Sequence, residues 1–253
     1  MKQRVLVTAG ASGIGREIVR AFAGSGATVF VCDIDGEGLD RLAQEIPGLV
    51  TTVCDMANRQ DIERMVARGV DAMGGLDVLV NNAGIAGPAV PVEAIDPDEW
   101  DKVVSVNLTG TFDATRLVIP HLKKSPAGVI IVMSSVAGRF GYPNRASYAA
   151  TKWGLIGFTK TLAMELGEHG IRANAILPGT VEGPRIQRVF EGRAQATGQS
   201  VEEIKQISMA NQSIKALVDP RDIAALAVFL ASDSAKSISG QALSIDGDIQ
   251  RLA

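Results

Sequence analysis

Short apolar runs alternate with longer segments in which apolar positions recur every three or four residues, and this alternation continues along most of the chain. The short runs are typical of buried strands and the longer segments of helices packed on them. The pattern therefore predicts an α/β fold, a doubly wound parallel sheet of about seven strands with helices on both faces. The predicted strands cover residues 4–8, 28–32, 49–53, 78–80, 128–133, 172–177 and 243–246.

One segment departs from this alternation. Residues 183–213 are polar, rich in Arg, Gln and Glu, and only weakly periodic. We predict one or two short helices there, lying as a lid over the crevice at the end of the sheet. Because one α/β domain can hold a chain of 253 residues, we expect residues 1–253 to form a single domain.

The charge and hydropathy pattern narrows the partners. The net charge is -3 and the chain has no basic run, which argues against binding to nucleic acid or to an anionic membrane. No apolar run approaches the roughly 20 residues of a membrane span, and no signal-peptide core follows Met1. We expect a cytoplasmic protein whose partner is a small molecule.

The cysteines and histidines limit the chemistry. Cys32 and Cys54 each fall in an apolar run that predicts a strand, which favours buried thiols over a disulfide or a metal pair. The only two histidines, His121 and His169, lie in different segments. A catalytic zinc site or a Ser-His-Asp triad would have too few ligands, so we expect no metal.

A glycine-rich turn follows the first strand. Glycines let a pyrophosphate approach the backbone, and the helix that follows offers its unpaired N–H groups and positive dipole to the phosphates. The alternative is a plain structural turn, but a strand before the turn and a helix after it favour dinucleotide binding. The predicted contacts are Gly10, Ser12, Gly13 and Ile14.

Acidic residues follow the second and third strands. Asp33, 18 residues after Gly15, is placed to accept hydrogen bonds from both adenosine ribose hydroxyls and to repel a 2′-phosphate, which favours NAD over NADP. Asp35 competes for this role, and a solvated turn carboxylate is the alternative for both; the strand-end position favours Asp33. Asp55 either meets the adenine edge or caps the next helix.

The later strands also end in candidate cofactor and substrate contacts. Residues 81–84 suit a backbone turn beside the cofactor. Ser134 and Ser135 follow a central strand and point into the crevice, where a hydroxyl can hold a carbonyl oxygen. Residues 178–181 would extend along the nicotinamide end. The candidates are Asn82, Ala83, Gly84, Ser135, Pro178, Gly179 and Val181.

A helix predicted to begin after Asp96 carries a buried polar residue. Its apolar face is expected to comprise Val103, Val104, Val106, Leu108, Phe112 and Leu117, with Asn107 in the middle. A buried asparagine must be hydrogen-bonded, so Asn107 either satisfies a helix irregularity or holds a water in the site.

The segment 147–166 predicts a long, largely buried helix with Tyr148 and Lys152 one turn apart on one face. A free tyrosine keeps its proton up to about pH 10, so a tyrosine base at neutral pH needs its phenolate stabilised. The ammonium of Lys152 is placed to do this. The alternative is a snorkelling surface pair.

Together these motifs resemble the short-chain dehydrogenase/reductase family over nearly the whole chain. The glycine turn, the N-N-A-G of residues 81–84, Ser135 placed 13 residues before Tyr148, and Y-x-x-x-K occur in the family's order. The resemblance implies a Rossmann-like fold, NAD, and a homotetramer. It also implies a catalytic tetrad of Asn107, Ser135, Tyr148 and Lys152, and cofactor contacts from Tyr148, Lys152 and Met56 as well as those above.

The resemblance implies an NAD-dependent oxidoreductase that interconverts a secondary alcohol and its ketone. The alternatives are a 3-oxoacyl-thioester reductase and, in another class, a protein that senses the dinucleotide without turnover. The expected substrate pocket is mostly apolar, lined by Gly87, Pro88, Val136, Tyr142, Ile186 and Phe190.

Two positions depart from the family pattern. Gly183 stands where the family often has a cofactor-binding threonine, and Asp248 stands in place of the second glycine of the usual D-G-G. Arg185, Arg188 and Arg193 either recognise an anionic substrate or form a solvated helix face, with Arg185 the best candidate because it is nearest the crevice.

Overall fold

A computed structural model describes residues 2–252, except for the side chains of Arg185, Arg193 and Ala196. Its centre is a seven-stranded sheet in which every strand pair is parallel, with the order β3-β2-β1-β4-β5-β6-β7. The predicted doubly wound fold is confirmed. The strands are Arg4–Thr8 (β1), Thr28–Asp33 (β2), Val50–Val53 (β3), Val78–Asn81 (β4), Val129–Met133 (β5), Arg172–Pro178 (β6) and Ala242–Ile245 (β7).

Helices cover both faces of this sheet. They are Gly13–Gly24 (α1), Gly36–Glu45 (α2), Arg59–Met73 (α3), Pro97–Val104 (α4), Gly110–Leu122 (α5), Ala146–Leu166 (α6), Pro184–Thr197 (α7), Val201–Met209 (α8) and Pro220–Ala231 (α9).

The side chains of the central strands divide between two apolar layers. In β1, Val5 and Val7 pack in the layer with α1, α2 and α9, whereas Leu6 packs in the layer with α3, α5 and α6. Successive strand residues point to opposite faces, so a strand covered on both sides must be apolar throughout. This explains the continuous apolar runs.

The strand order reverses between β1 and β4, because β1 is followed in space by β2 on one side and by β4 on the other. At such a switch point the loops after the two strands diverge and leave a crevice at the carboxyl edge of the sheet, where ligands bind in this architecture. The glycine turn after β1 and residues 82–84 after β4 border this crevice.

A π-helical turn, Ser105–Thr109, separates α4 from α5. The prediction of one regular helix with Phe112 facing the core is therefore wrong: Phe112 is 44% exposed, whereas Thr111, Asp113 and Ala114 are buried. A π turn adds a residue to the helix and rotates everything after it, so a strict 3.6-residue period assigns the wrong face.

The segment 183–213 contains the helices α7 and α8, which pack on each other through Phe190, Ala194 and Ile204. A capping box at Ser200 and Glu203 starts α8. Its movement as a lid, and the single-domain organisation of the chain, remain predictions. Among residues 2–252, no helix combines the length and apolar character that crossing a membrane requires.

Candidate active site

The glycine turn is packed too tightly for side chains at two positions. A Cβ at Gly10 would lie 2.3 Å from Val31 Cγ2, and one at Gly15 would lie 2.2 Å from Ala9 O and 2.5 Å from Asn82 Nδ2. A Cβ at Gly13 would meet no atom within 4 Å, but Gly13 has φ +54°, which side-chain-bearing residues rarely adopt. The turn is therefore open around Gly13.

The helix that follows this turn begins without a side-chain cap. Ser12 is the N-cap residue of α1 and accepts no capping hydrogen bond through its side chain, whereas Asp35, Asn58 and Asp96 cap α2, α3 and α4. Uncapped N–H groups together with the helix dipole favour an anion. The amino end of α1 thus suits the pyrophosphate of a dinucleotide.

The acidic candidates have separate roles in the structure. Asp33 ends β2, and its carboxylate accepts hydrogen bonds from Ala11 N at 2.9 Å and from Asp35 N at 3.0 Å. These bonds fix the carboxylate beside the glycine turn. Asp35 accepts from Gly38 N at 2.9 Å and so caps α2, which makes the helix cap its explanation.

Asp55 does not cap the helix that follows it. Its Oδ1 accepts from Ala57 N at 2.8 Å, while Asn58 caps α3 by accepting from the backbone of Gln60 and Asp61. The helix-cap alternative is therefore wrong, and contact between Asp55 or Met56 and an adenine remains a prediction.

Asn82 joins the ends of β1 and β4. Its Nδ2 donates to Thr8 O at 3.0 Å and to Ala9 O at 2.8 Å, and the N–H groups of Asn82 and Ala83 each donate to Thr8 Oγ1 at 3.0 Å. These bonds hold the glycine turn against residues 82–84. Residues 82–84 form an irregular loop rather than an assigned turn, and their contact with a cofactor stays a prediction.

Asn107 lies in the π-helical turn and is fully buried. Its Oδ1 accepts from Ile85 N at 2.8 Å, and its Nδ2 donates to Ile85 O at 3.0 Å and to Thr151 Oγ1 at 3.1 Å. A helix irregularity is present, but the amide of Asn107 bonds to Ile85 and Thr151 and not to the helix backbone, and a bound water stays a prediction. The amide ties the loop after β4 to α6, one residue before Lys152.

Lys152 of α6 lies beside the end of β5 and the loop after β4. Its Nζ donates to Met133 O, the last carbonyl of β5, at 2.8 Å, and lies 5.6 Å from the ring centroid of Tyr148. A Cβ at Gly84 would lie 3.1 Å from this Nζ and 3.4 Å from Asn107 Oδ1. The lysine is 3% exposed, so its ammonium is held inside the site rather than snorkelling to the surface.

The two serines after β5 are fixed by hydrogen bonds, Ser134 to α6 and Ser135 to the backbone that follows it. Ser134 Oγ donates to Lys152 O at 2.8 Å, and Ser135 Oγ accepts from Ala137 N at 3.1 Å, capping a short turn. A hydroxyl that accepts one hydrogen bond still carries a proton that it can donate to a substrate oxygen. Ser135 is therefore both fixed and chemically competent.

The backbone conformation of the segment after β6 accounts for one departure from the family pattern. Gly183 has φ +151°, a conformation that a β-branched threonine adopts only with strain. Gly183 is also the N-cap residue of α7, and it has no side chain with which to cap that helix. Pro178 and Gly179 lie against β7, where a Cβ at Gly179 would be 2.7 Å from Asp246 Cα.

A family model described as enoyl-(acyl carrier protein) reductase matches residues 8–248. The chain belongs to the short-chain dehydrogenase/reductase family. It is an oxidoreductase of that family, whose chemistry is the interconversion of a secondary alcohol and its ketone with a nicotinamide dinucleotide.

Two similar proteins and two solved structures support this placement. The 3-oxoacyl-(acyl-carrier-protein) reductase of Thermotoga maritima is 38% identical over 248 residues, 96% of each chain. The D-beta-hydroxybutyrate dehydrogenase of Cupriavidus necator is also 38% identical, over 96% of this chain and 95% of its own.

The solved structures agree over almost the whole fold. A variant of actinorhodin polyketide ketoreductase, determined with NADPH, has a TM-score of 0.92 at 35% identity and covers 97% of this chain and 96% of its own. Levodione reductase has a TM-score of 0.90 at 32% identity over 98% of both chains.

The structure brings some of the predicted site residues into contact. Asn82 contacts the glycine turn, and Lys152, Asn107 and Gly84 meet at the end of β5. The arginine candidates of α7 remain apart from this network as far as they are described. Arg188 is exposed and donates from Nε to Pro184 O at 3.3 Å, while the side chains of Arg185 and Arg193 lie outside the described residues.

Sequence reasoning missed two groups that hold the site. Thr151 accepts the hydrogen bond from Asn107 Nδ2 and donates to Tyr148 O at 2.8 Å, and the carbonyl of Met133 fixes Lys152. A threonine beside a lysine gives no signal of its own. A backbone carbonyl carries none at all, because every residue has one.

The thiols lie close to the ribose-binding candidate. Cys32 is in β2, and Cys54 lies one residue beyond β3, so its predicted place within a strand is wrong by one residue. Both are free and buried, as predicted. A hydrogen bond to Cys54, together with burial, raises the pKa of the Cys32 thiol well above its usual value.

Proposed function

We propose that this enzyme uses NAD to interconvert a secondary alcohol and its ketone, with Asn107, Ser135, Tyr148 and Lys152 as its catalytic groups. The observation that carries the proposal is the position of Lys152. Its buried ammonium is fixed by Met133 O at 2.8 Å and lies 5.6 Å from the Tyr148 ring. A cation held near a phenol stabilises the phenolate and makes tyrosine usable as a base.

Each side chain has a role that its contacts support. Tyr148, as phenolate, takes the hydroxyl proton of an alcohol, and in reduction the phenol returns it to the carbonyl oxygen. Ser135 donates a hydrogen bond to the same oxygen and stabilises its developing charge. Asn107 holds the loop after β4 and the start of α6 in register, which fixes Lys152 against Tyr148.

The residues present fit a bound dinucleotide. The turn at Gly13, where a Cβ would meet no atom within 4 Å, and the uncapped start of α1 suit the pyrophosphate, and Asp33 suits the adenosine ribose. Lys152 also has the reach of a ribose ligand at the nicotinamide end. When bound, the nicotinamide accepts or donates the hydride.

The choice of NAD rests on Asp33. Its carboxylate is fixed at the end of β2 by Ala11 N and Asp35 N, where a 2′-phosphate would meet a negative charge. The second candidate function, a 3-oxoacyl-thioester reductase, is favoured by the similarity to the Thermotoga maritima protein. Such an enzyme would be expected to prefer NADPH.

The deciding experiment follows NADH formation from secondary alcohols, polyols and hydroxy acids, and the reverse reaction with a 3-oxoacyl thioester and either cofactor. We expect turnover of an alcohol with NAD and a preference for NADH over NADPH. A strong NADPH preference on the thioester would support the second candidate. No turnover of any substrate, despite NADH binding, would support a non-catalytic dinucleotide sensor.

Two neighbouring aspartates give a matched test of the cofactor choice. We expect Asp33→Ala to raise the KM for NAD about tenfold or more and to shift the NADP to NAD ratio of kcat/KM upward by at least as much. Asp35→Ala should lower stability by about 1 kcal/mol through the lost helix cap and leave that ratio unchanged. Equal ratios in both variants would show that Asp33 does not select the cofactor.

The remaining proposals concern assembly and location. We propose a homotetramer with α6 in an interface, because Trp153 and Met164 on α6 are 52% and 79% exposed and Phe112 on α5 packs edge-on against Phe158. Light scattering tests the assembly. A cytoplasmic location is supported by the two free, buried thiols, since a reducing compartment preserves them.

A further inference from the structure

A small cavity lies between the helices α7 and α8 and the carboxyl-terminal residues 249–252. Its volume is about 90 Å³. A cavity of this volume has room for a carboxylate group. Most of its wall is apolar, formed by Ile186, Val189, Phe190, Ile207, Ile249 and Leu252.

Two residues of the cavity wall belong to segments next to the candidate active site. Thr180 lines it and follows Pro178 and Gly179 at the end of β6, and Tyr142 lines it from the loop just before α6, which carries Tyr148. A substrate with its carbinol at Tyr148 would therefore extend its other end toward this cavity.

The polar part of the wall is suited to an anion. Arg251 is the one charged residue among the described residues that line the cavity, and its Nε donates to Asn211 Oδ1 at 3.3 Å. A guanidinium has five N–H donors in a planar fork that matches a carboxylate, and the bond to Asn211 uses one of them. Arg251 is exposed, and its guanidinium keeps donors available beyond the bond to Asn211.

Ser208 provides a second, independent observation. Its Oγ is buried, lines the cavity, and has no hydrogen-bond partner within residues 2–252 as the structure describes them. A buried hydroxyl without a partner costs free energy, which a ligand that hydrogen-bonds to it would recover.

The tail that carries Arg251 is fixed to α8 and the segment after it. Gln212 pairs with Ile249 in an antiparallel bridge, Gln250 N donates to Asn211 O at 2.7 Å, and Ser213 N donates to Asp248 O at 3.1 Å. The position of Arg251 therefore depends on backbone pairing rather than on its own flexible side chain alone.

We propose that Arg251, with Asn211 and Ser208, binds the carboxylate of a short hydroxy acid or its oxo acid, and thereby selects this substrate class. The inference rests on the proposed function for the position of the reacting carbinol. The arginines of α7, which the sequence makes candidates for anion recognition, have no part in this proposed carboxylate site.

The catalytic test compares 3-hydroxybutyrate with 2-butanol, a neutral alcohol of similar size. We expect Arg251→Gln to raise the KM for 3-hydroxybutyrate about 10- to 100-fold with little change in kcat, because it removes binding made equally in ground and transition states. Arg251→Lys should recover part of the loss, and 2-butanol should respond less than about twofold. Arg188→Gln is the matched control, since it removes one exposed arginine of α7.

The binding test does not depend on turnover. Calorimetry with the NADH-saturated protein measures butyrate against neutral butyramide. We expect butyrate to bind at least about tenfold more weakly to Arg251→Gln than to the wild type, and butyramide to bind both alike. Ser208→Ala should also weaken butyrate, by a smaller factor.

The outcomes separate this inference from the proposed function. Equal butyrate affinity in the wild type and in Arg251→Gln, or no butyrate binding at all, overturns the inference while NAD-dependent oxidation of 2-butanol still upholds the function. Arginine-dependent butyrate binding without turnover of any alcohol upholds the carboxylate site and overturns the function.

Discussion

The cofactor side and the substrate side of the crevice are built in different ways. On the cofactor side, Asp33 ends β2 and Asn82 follows β4 directly. Asn82 bonds to Thr8 and Ala9 at the end of β1, and Asp33 bonds to Ala11 in the glycine turn. On the substrate side, α7 and α8 pack on each other and on the tail, outside the sheet. The first side is fixed by the sheet and the second by a small apolar cluster.

This difference predicts which substitutions should affect only one side of the crevice. Parallel strands place their carboxyl ends together, so a change in the glycine turn disturbs the sheet and the dinucleotide site at once. A change in α7 or α8 should alter substrate binding while dinucleotide binding persists.

The largest effect is expected in the glycine turn. Gly15→Ala would place its Cβ 2.2 Å from Ala9 O and 2.5 Å from Asn82 Nδ2. We expect a stability loss of about 2 to 3 kcal/mol by urea unfolding and a loss of NADH affinity of about 100-fold or more.

Gly24→Ala, at the other end of α1, is the control for this change. A Cβ there would meet nothing within 4 Å. Its stability should change by no more than about 1 kcal/mol and its NADH affinity should remain that of the wild type. Similar NADH affinities for the two variants would refute the close packing of the turn.

An intermediate effect is expected in the helices of the lid. Phe190 is 2% exposed and packs with Ala194 and Ile204, so Phe190→Ala should cost about 3 kcal/mol within this cluster. Hydrogen exchange should accelerate in α7 and α8, the KM for alcohol should rise, and NADH affinity should stay constant.

Ile214, a side chain that is 65% exposed, provides the comparison. Ile214→Ala should cost less than about 1 kcal/mol and leave exchange in α7 and α8 unchanged. A parallel loss of NADH affinity in Phe190→Ala would mean that the two sides of the crevice are one cooperative unit.

The smallest effect is expected at Asp248. This residue has φ +59°, a conformation that favours glycine, and Ser213 Oγ donates to its carboxylate. Asp248→Ala keeps the strained backbone and loses the hydrogen bond, so it should cost about 1 kcal/mol.

Asp248→Gly relieves that strain while losing the same bond, so its stability should lie within about 0.5 kcal/mol of the wild type. Thermal unfolding of the two variants side by side makes the comparison. Because both variants lose the bond to Ser213, a glycine variant less stable than the alanine variant would refute the backbone strain at this position.

The sequence predicted the parts of the molecule that rest on local periodicity. All seven strands and the long helix of Tyr148 and Lys152 occur where apolar spacing predicts them. Residues 183–213 contain two helices, where one or two short helices were predicted despite weak periodicity. The prediction for the helix that carries Asn107 was partly wrong, because a π turn shifts the helical period and exposes Phe112.

Interactions between segments distant in sequence were not predictable. The carbonyl of Met133 that fixes Lys152, and the pairing of the tail with Gln212 that positions Arg251, join residues with no shared pattern. Backbone angles, which the sequence does not show, account for Gly183, whereas the positive φ of Asp248 would itself favour the family's glycine.

The central claim is that Tyr148 is the proton donor and acceptor, made usable by Lys152 one helical turn away. The most direct measurement follows NADH oxidation by Tyr148→Phe at a saturating ketone concentration, together with NADH binding by fluorescence. The account predicts NADH affinity within about twofold of the wild type and a fall in kcat of about 1,000-fold. Turnover at the wild-type rate with the phenol hydroxyl absent would contradict it.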